Sequence, residues 1–224
     1  GLTGLLGCRA PEPTATPTPS PAPTATPAPD PATPTPVPTS TPSATAGMQP
    51  PDPAPPGFQK GMNYTAWYQG QYASPEADQA LAELAETGAQ WVSVLVTCYQ
   101  ETLASTEITC DLERTPTDDD LAHAIQTARD LGLKVMLKPH VDLNSDDALW
   151  RGDIGLEFTD QAQWSAWFAA YEAMIVRYAA LAEAHQVEQF CVGTEMVRTS
   201  PREAEWRAIV DAVRVTLERT PPEL

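Results

Sequence analysis

From Gly61 onward, strand-like and helix-like stretches alternate four times in strict order, and this alternation limits the possible folds more than any other feature. Residues 61–66 read as a short strand. Ser74-Pro75 then opens a helix, since serine caps free amides and proline tolerates the first turn. Ala77, Ala80, Leu81, Leu84 and Ala85 form its apolar stripe and Gly88 ends it. Residues 91–96, WVSVLV, have the β-branched run of a strand buried on both faces. A second helix starts at Thr117, carries Leu121, Ala124, Ile125, Ala128 and Leu131 on one side, and closes at Gly132. Residues 134–138 are a third strand. The third helix opens at Asp160, with Gln163 placed to complete a capping box, and sets Trp164, Trp167, Phe168, Tyr171, Ile175 and Tyr178 at helical spacing. Residues 189–193 are a fourth strand, and Ser200-Pro201-Arg202-Glu203 opens the fourth helix with another capping box.

Such alternation implies a parallel sheet, either open and doubly wound or closed into a barrel. No glycine-rich phosphate loop follows the first strand, which argues against the nucleotide-binding open sheet. Polar residues gather just after the strands instead: Asn63, Tyr64 and Trp67; Thr97, Tyr99 and Gln100; Lys138, His140 and Asp142; Thr194 and Glu195. Barrel enzymes place their chemistry at strand carboxyl ends. A (β/α)8 barrel takes about 250 residues. Residues 58–224 supply four of its βα units, so the expectation is the amino-terminal half of an α/β barrel, broken off near Thr220-Pro221-Pro222.

The leading segment is of another kind. Eighteen of the 24 prolines precede Phe58, while every Trp, Tyr and Phe lies from Phe58 onward. A Pro/Thr-rich stretch without large apolar groups does not offset its chain entropy, so residues 9–57 read as a disordered, extended linker. Leu5-Leu6-Gly7-Cys8 has the form of a bacterial lipobox, with residues 1–8 the remnant of a signal peptide. Lipidation of Cys8 would tether the domain to a membrane across the spacer, making the protein an exported, cell-surface or extracellular one whose sole membrane contact is the lipid. The formal charge is −17, of which Arg9, Glu12, Asp30 and Asp52 leave only −2 to the leader. So acidic a folded segment offers no basic footprint for nucleic acid. In an exported protein Cys98 and Cys110, flanking one loop, are a disulfide candidate, whereas Cys191 in an apolar strand reads as a buried, inert thiol.

Glu195 is the sharpest chemical candidate, an ionisable group at the end of an apolar strand, where an unpaired carboxylate is costly. The bland alternative is a structural glutamate paired with a neighbour such as Arg198. His140 and Asp142 alternate with a strand's period and so point the same way. His-x-Asp can ligate zinc or iron, but His123 and His185 fall in helices and complete no ligand set, and no CxxC spacing suggests zinc. The preferred reading is that Lys138, His140 and Asp142 hydrogen-bond sugar hydroxyls without metal or cofactor, while Trp67, Tyr68, Tyr99 and Trp150 offer stacking faces or ordinary packing.

Five motifs carry a resemblance: GMNYTAWYQGQY at 61–72, TPTDDDL at 115–121, LKPHVD at 137–142, WRGDI at 150–154 and FCVGTEM at 190–196. Together they resemble glycoside hydrolase family 113, retaining clan A barrels that include β-mannanases. The resemblance implies that Glu195 is the general acid/base after the fourth strand, and that Asn63, Tyr64, Trp67, Tyr99, Gln100, Lys138, His140, Asp142, Trp150, Arg151 and Thr194 meet a polysaccharide or oligosaccharide substrate. Many clan A enzymes carry Asn-Glu where this chain has Thr194-Glu195, the family 113 form. The nucleophile of the family is a second glutamate after the seventh strand, which four βα units do not reach, so half the machinery is expected beyond Leu224. Two functions remain open, a β-mannanase-like endoglycosidase and a non-catalytic surface lipoprotein that binds polysaccharide.

Overall fold

A computed structural model describes residues 57–110, 113–144 and 149–218, all within the unit Pro53–Leu224. The Cys8 anchor and, Gly57 apart, the 9–57 linker lie outside the described residues. In chain order the elements are β1 (Gly61–Tyr64), α1 (Pro75–Glu86), β2 (Trp91–Gln100), α2 (Asp118–Asp130), β3 (Lys134–Leu143), a 3-10 turn (Arg151–Asp153), α3 (Gln161–Ala184), β4 (Gln189–Phe190) and α4 (Glu203–Leu217). The strands are all parallel and lie in the order β1-β2-β3-β4. Each pairs with its sequence neighbour, as in a barrel wall, and among the described residues no reversal of order marks the switch point of a doubly wound sheet.

Side-chain parity separates two faces of this sheet. Val92, Val94, Val96 and Cys98 of β2 and Val135, Leu137, Val141 and Leu143 of β3 are buried in the core with α2 and α3 residues such as Leu121, Ile125, Phe168 and Ile175. Trp91, Ser93, Leu95, Thr97 and Tyr99, with Lys134, Met136, Lys138, His140 and Asp142, form the opposite, inner face. Tyr72 ties the end of β1 to the middle of β2. Its fully buried hydroxyl lies 2.7 Å from the Tyr64 carbonyl and 2.8 Å from the Leu95 carbonyl, and burial holds it well above the ordinary phenol range.

The caps explain where most helices begin. Ser74 accepts from Ala77 N–H, and Thr117 with Asp120 closes a capping box. Burial alone would raise the Asp120 pKa, but hydrogen bonds from Gly70 N–H and from Thr117 N–H and Oγ1–H outweigh it and lower the pKa instead. Asp160 caps α3 through Gln163 N–H, but the Gln163 side chain accepts from Thr159, so the reciprocal half of the predicted box is absent. The predicted box at Ser200 does not form either. The N-cap of α4 is Arg202 without a side-chain cap, because Ser200 Oγ donates to Val197 O in the preceding turn.

Strand lengths depart from the sequence pattern as well. β2 and β3 run past their apolar cores because each is paired over ten positions. β4 is only two residues long, though Cys191 N–H still reaches Leu137 O at 3.0 Å. Cys191 is partly rather than fully buried, with its thiol 3.3 Å from the Gly193 carbonyl.

Cys98 and Cys110 are joined in a disulfide. It closes the loop after β2, where Tyr99 and Thr109 also form an antiparallel bridge. Opening it by Cys110→Ser should lower stability by roughly 3 kcal/mol, the loop-closure value for a loop of this size. Urea unfolding reads this directly, and an unchanged midpoint would mean that the Tyr99–Thr109 bridge restrains the loop alone.

Candidate active site

The register of β2 and β3 sets Thr97 level with His140 and Tyr99 level with Asp142, all on the inner face at the carboxyl end of the sheet. Lys138 stands one inner-face step below. The 3-10 turn after β3 brings Arg151 over this row. Arg151 Nη1 donates to His140 Nδ1 at 2.5 Å, and Nη2 donates to Asp142 Oδ2 at 2.7 Å. Its Nε lies 3.5 Å from Glu195 Oε2, an ion-pair distance without hydrogen-bond alignment. One guanidinium therefore links the end of β3 to the loop after β4. The place that a His-x-Asp metal pair would need already holds this cation.

Glu195 sits in an unusual backbone. Its φ is +59°, in the left-handed region, which costs a residue with a Cβ of the order of 1–3 kcal/mol. Neighbouring contacts hold it there. Val197 N–H donates to Glu195 O, Arg198 N–H to Gly152 O at 3.0 Å, Ser200 N–H to Met196 O, and Trp206 Nε1–H to Thr199 O. Met196 and Thr199 are buried. The bend turns Glu195 out of line with β4, and its side chain is 50% exposed. Arg198 is not its partner; that residue pairs with Asp153 at 3.7 Å. Thr194 lines a recess of about 280 Å³ with Val192, Glu195 and Trp206.

His140 is buried, and burial first, then the Arg151 and Lys138 charges, depress its pKa to about 4. Because Nδ1 accepts from Arg151, the ring proton belongs on Nε2, which has no hydrogen-bond partner among the described residues. A depressed histidine pKa has a definite sign. Its contribution to stability is complete above the unfolded value of about 6.5 and is lost as pH falls through the folded value. Between those limits the folded state should lose stability in acid, and His140→Gln should flatten that part of a urea-midpoint-against-pH curve. An unaltered slope would mean that the imidazole is not held neutral.

The other expected site residues divide by parity. Tyr99 lies on the inner face with the Arg114 guanidinium 4.1 Å over its ring, and burial raises its phenol pKa. Asn63 is on the inner face but pairs with Ser93, level with Met136 and two inner-face steps before His140. It lines a separate recess of about 270 Å³ with Ser93 and Lys138. Trp67 and Trp150 lie in loops leaving the carboxyl ends of β1 and β3 and are 56% and 47% exposed, so their rings are open for stacking. Gly152 makes room for the Trp150 indole, since a Cβ there would stand 2.5 Å from it.

Tyr64 and Gln100, both expected among the substrate ligands, have the helix-face parity, and their polar groups are engaged by the scaffold. Tyr64 donates its hydroxyl to Ala77 O of α1 at 2.8 Å, and burial followed by the Asp78 charge pushes its pKa up to about 12. Gln100 is buried. Its amide donates to Thr102 O and Ser105 O, and its carbonyl accepts from Trp167 Nε1–H of α3 at 2.8 Å. Arg114, which also donates to Asn144, escaped sequence reasoning because no local pattern marks it. Among the described residues no group of three or more His, Cys, Asp or Glu side chains is placed to hold a metal.

Comparison with known proteins gives this arrangement a context. The sequence profile of Glycoside Hydrolase Family 113 matches residues 62–218. The β-mannanase AaManA of that family from Alicyclobacillus acidocaldarius, solved in complex with ManMIm, is 34% identical, with a TM-score of 0.66 over 72% of this chain and 52% of its own. A family 113 β-1,4-mannanase solved as a complex is 32% identical, with a TM-score of 0.64 over 71% of this chain and 52% of its own. The chain thus spans about half the length of these structures, and its four βα units follow their (β/α)8 barrel. No curated protein matches the sequence.

Proposed function

The chain belongs to glycoside hydrolase family 113, and from that premise we propose that it is the acid/base-bearing half of a retaining endo-β-1,4-mannanase, with Glu195 as the general acid/base. The observation that carries this reading is the placement of Glu195. Its carboxyl is half-exposed at the carboxyl end of β4, turned there by a left-handed backbone and ion-paired to Arg151. A carboxyl in that position can reach a leaving glycosidic oxygen and later a water.

In the retaining reaction Glu195 protonates the departing sugar oxygen while a second carboxylate, about 5–5.5 Å away, forms the glycosyl-enzyme. Glu195 then takes a proton from the water that releases it. The family resemblance assigns that second carboxylate to the barrel's seventh strand. His140 keeps a buried Nε2–H without a partner among the described residues, beside Glu195 and Arg151, and Trp67 and Trp150 supply exposed stacking faces. Lipidation of Cys8 and a surface location are part of the same proposal, since a tethered, extended spacer would let a barrel work on polysaccharide outside the cell. A non-catalytic polysaccharide-binding role predicts mannan binding with no release of reducing ends by the complete barrel. A time course of reducing-sugar release from mannan, with the anomer of the first product read by proton NMR, decides between them. Release of the β-anomer supports the retaining reading, and binding without release overturns it.

A further inference from the structure

Three charged or polar groups of the site meet at one side chain, Arg151, whose side chain is only 20% exposed. Two of its nitrogens make protein hydrogen bonds, and the third faces Glu195. The turn that carries it is fixed on both sides. Asp153 N–H donates to Trp150 O, Ile154 is completely buried, and Gly152 O accepts from Arg198 N–H of the Glu195 loop. Asp153 also pairs with Arg198. The turn that carries Arg151 is therefore tied to the loop that carries Glu195.

We propose that Arg151 is a positioning residue rather than a sugar ligand: its fork fixes His140 as the Nε2–H tautomer, aligns Asp142, and holds the Glu195 carboxylate at the strand end. The catalytic consequence rests on the acid/base reading of Glu195; the tautomer claim does not. A planar guanidinium can serve two acceptors with fixed divergence, which an ammonium does not reproduce. With the Nδ1 lone pair occupied, the imidazole presents one donor, Nε2–H, and no acceptor. The groups facing this cluster are Lys138, His140 and Asp142 of β3, Tyr99 of β2, Arg151 of the turn and Glu195 after β4. Burial, the largest cause, and then Lys138 also lower the His140 pKa, so removing Arg151 should relieve only part of that depression.

The test uses Arg151→Met and Arg151→Lys in a protein carrying the complete barrel, with two independent readouts. The first is the imidazole nitrogen-15 spectrum, with His140 assigned by its loss in His140→Gln. The parent should show the Nε2–H tautomer. Arg151→Met should show both tautomers and a protonation midpoint raised from about 4 toward the ordinary histidine value. Arg151→Lys should keep the low midpoint, because the charge remains, yet lose the single tautomer. The second readout is steady-state kinetics on a manno-oligosaccharide. Arg151→Met should lower kcat by roughly 10-fold or more while KM changes little, the pattern of an interaction that acts in the transition state. Retention of the Nε2–H tautomer in both variants overturns the proposal. So does a raised KM with kcat intact, which would make Arg151 a substrate ligand. Should the complete barrel prove inactive, the spectrum still decides the tautomer claim, so failure of the mannanase reading and failure of this inference are told apart.

Discussion

Glu195→Ala in a protein that carries the complete barrel is expected to slow mannan hydrolysis by about 10²–10⁴-fold, the range typical for loss of general acid–base assistance. The loss should depend on the leaving group. A polysaccharide leaves as a poor alkoxide and needs the proton, whereas an activated aryl mannoside needs little protonation in the first step. Glycosylation by the aryl substrate should therefore survive far better than mannan cleavage. In the proposed retaining mechanism the second step still lacks its base, so a glycosyl-enzyme should accumulate, and azide should restore part of the turnover by attacking it without deprotonation. Near-normal mannan hydrolysis by Glu195→Ala would make the residue structural, which its pairing with Arg151 and its strained backbone would then have to explain. If activity instead vanished with a chelator and returned with zinc, His140 and Asp142 would be metal ligands and Arg151 would have to move out from between them.

The fold was legible because periodicity determines it. Val92, Val94 and Val96 alternate with Trp91, Ser93 and Leu95, and the same parity that buries the valines against helices sends the others to the inner face. The site was legible in part for the same reason. His140 and Asp142 share a parity and do stand together. Applied strictly, parity would also have excluded Tyr64 and Gln100, since Tyr64 is level with Val94 and Gln100 follows Val96 and Cys98 on the helix face. Proximity in sequence to a strand end was the weaker guide. What no local pattern contains is tertiary. The convergence of Arg151 on three side chains depends on how a turn after β3 docks against the loop after β4. The left-handed φ of Glu195 is equally invisible, because no glycine or asparagine announces it. The short β4 has the same origin, with Gly193 lying against Trp206 and the Tyr171 hydroxyl as the chain turns away.

Trp167→Ala is expected to cost about 3–5 kcal/mol of stability, the usual cost of removing a buried large aromatic. Trp167 is completely buried, stacks on Tyr171 with ring centroids 5.1 Å apart, and meets Phe168 edge-on at 5.0 Å. Its indole N–H is also the partner of Gln100, so the substitution leaves a cavity and removes a hydrogen bond to a buried amide. Gln100→Ala approaches the same junction from β2. It leaves the indole N–H without its acceptor and releases Thr102 and Ser105 of the loop after β2, a change worth roughly 1–3 kcal/mol. Because the two residues touch, their effects should not add; the double variant should be less destabilised than the sum of the singles. Urea midpoints of the four proteins in the cycle measure this, and KM for a manno-oligosaccharide in the complete barrel provides the control. A lowered midpoint with KM unchanged is the expected result for Gln100→Ala and places that amide in the scaffold that joins β2 to α3. A raised KM with an unchanged midpoint would return Gln100 to the substrate, and would require its side chain to leave Trp167 and cross to the opposite face of the strand.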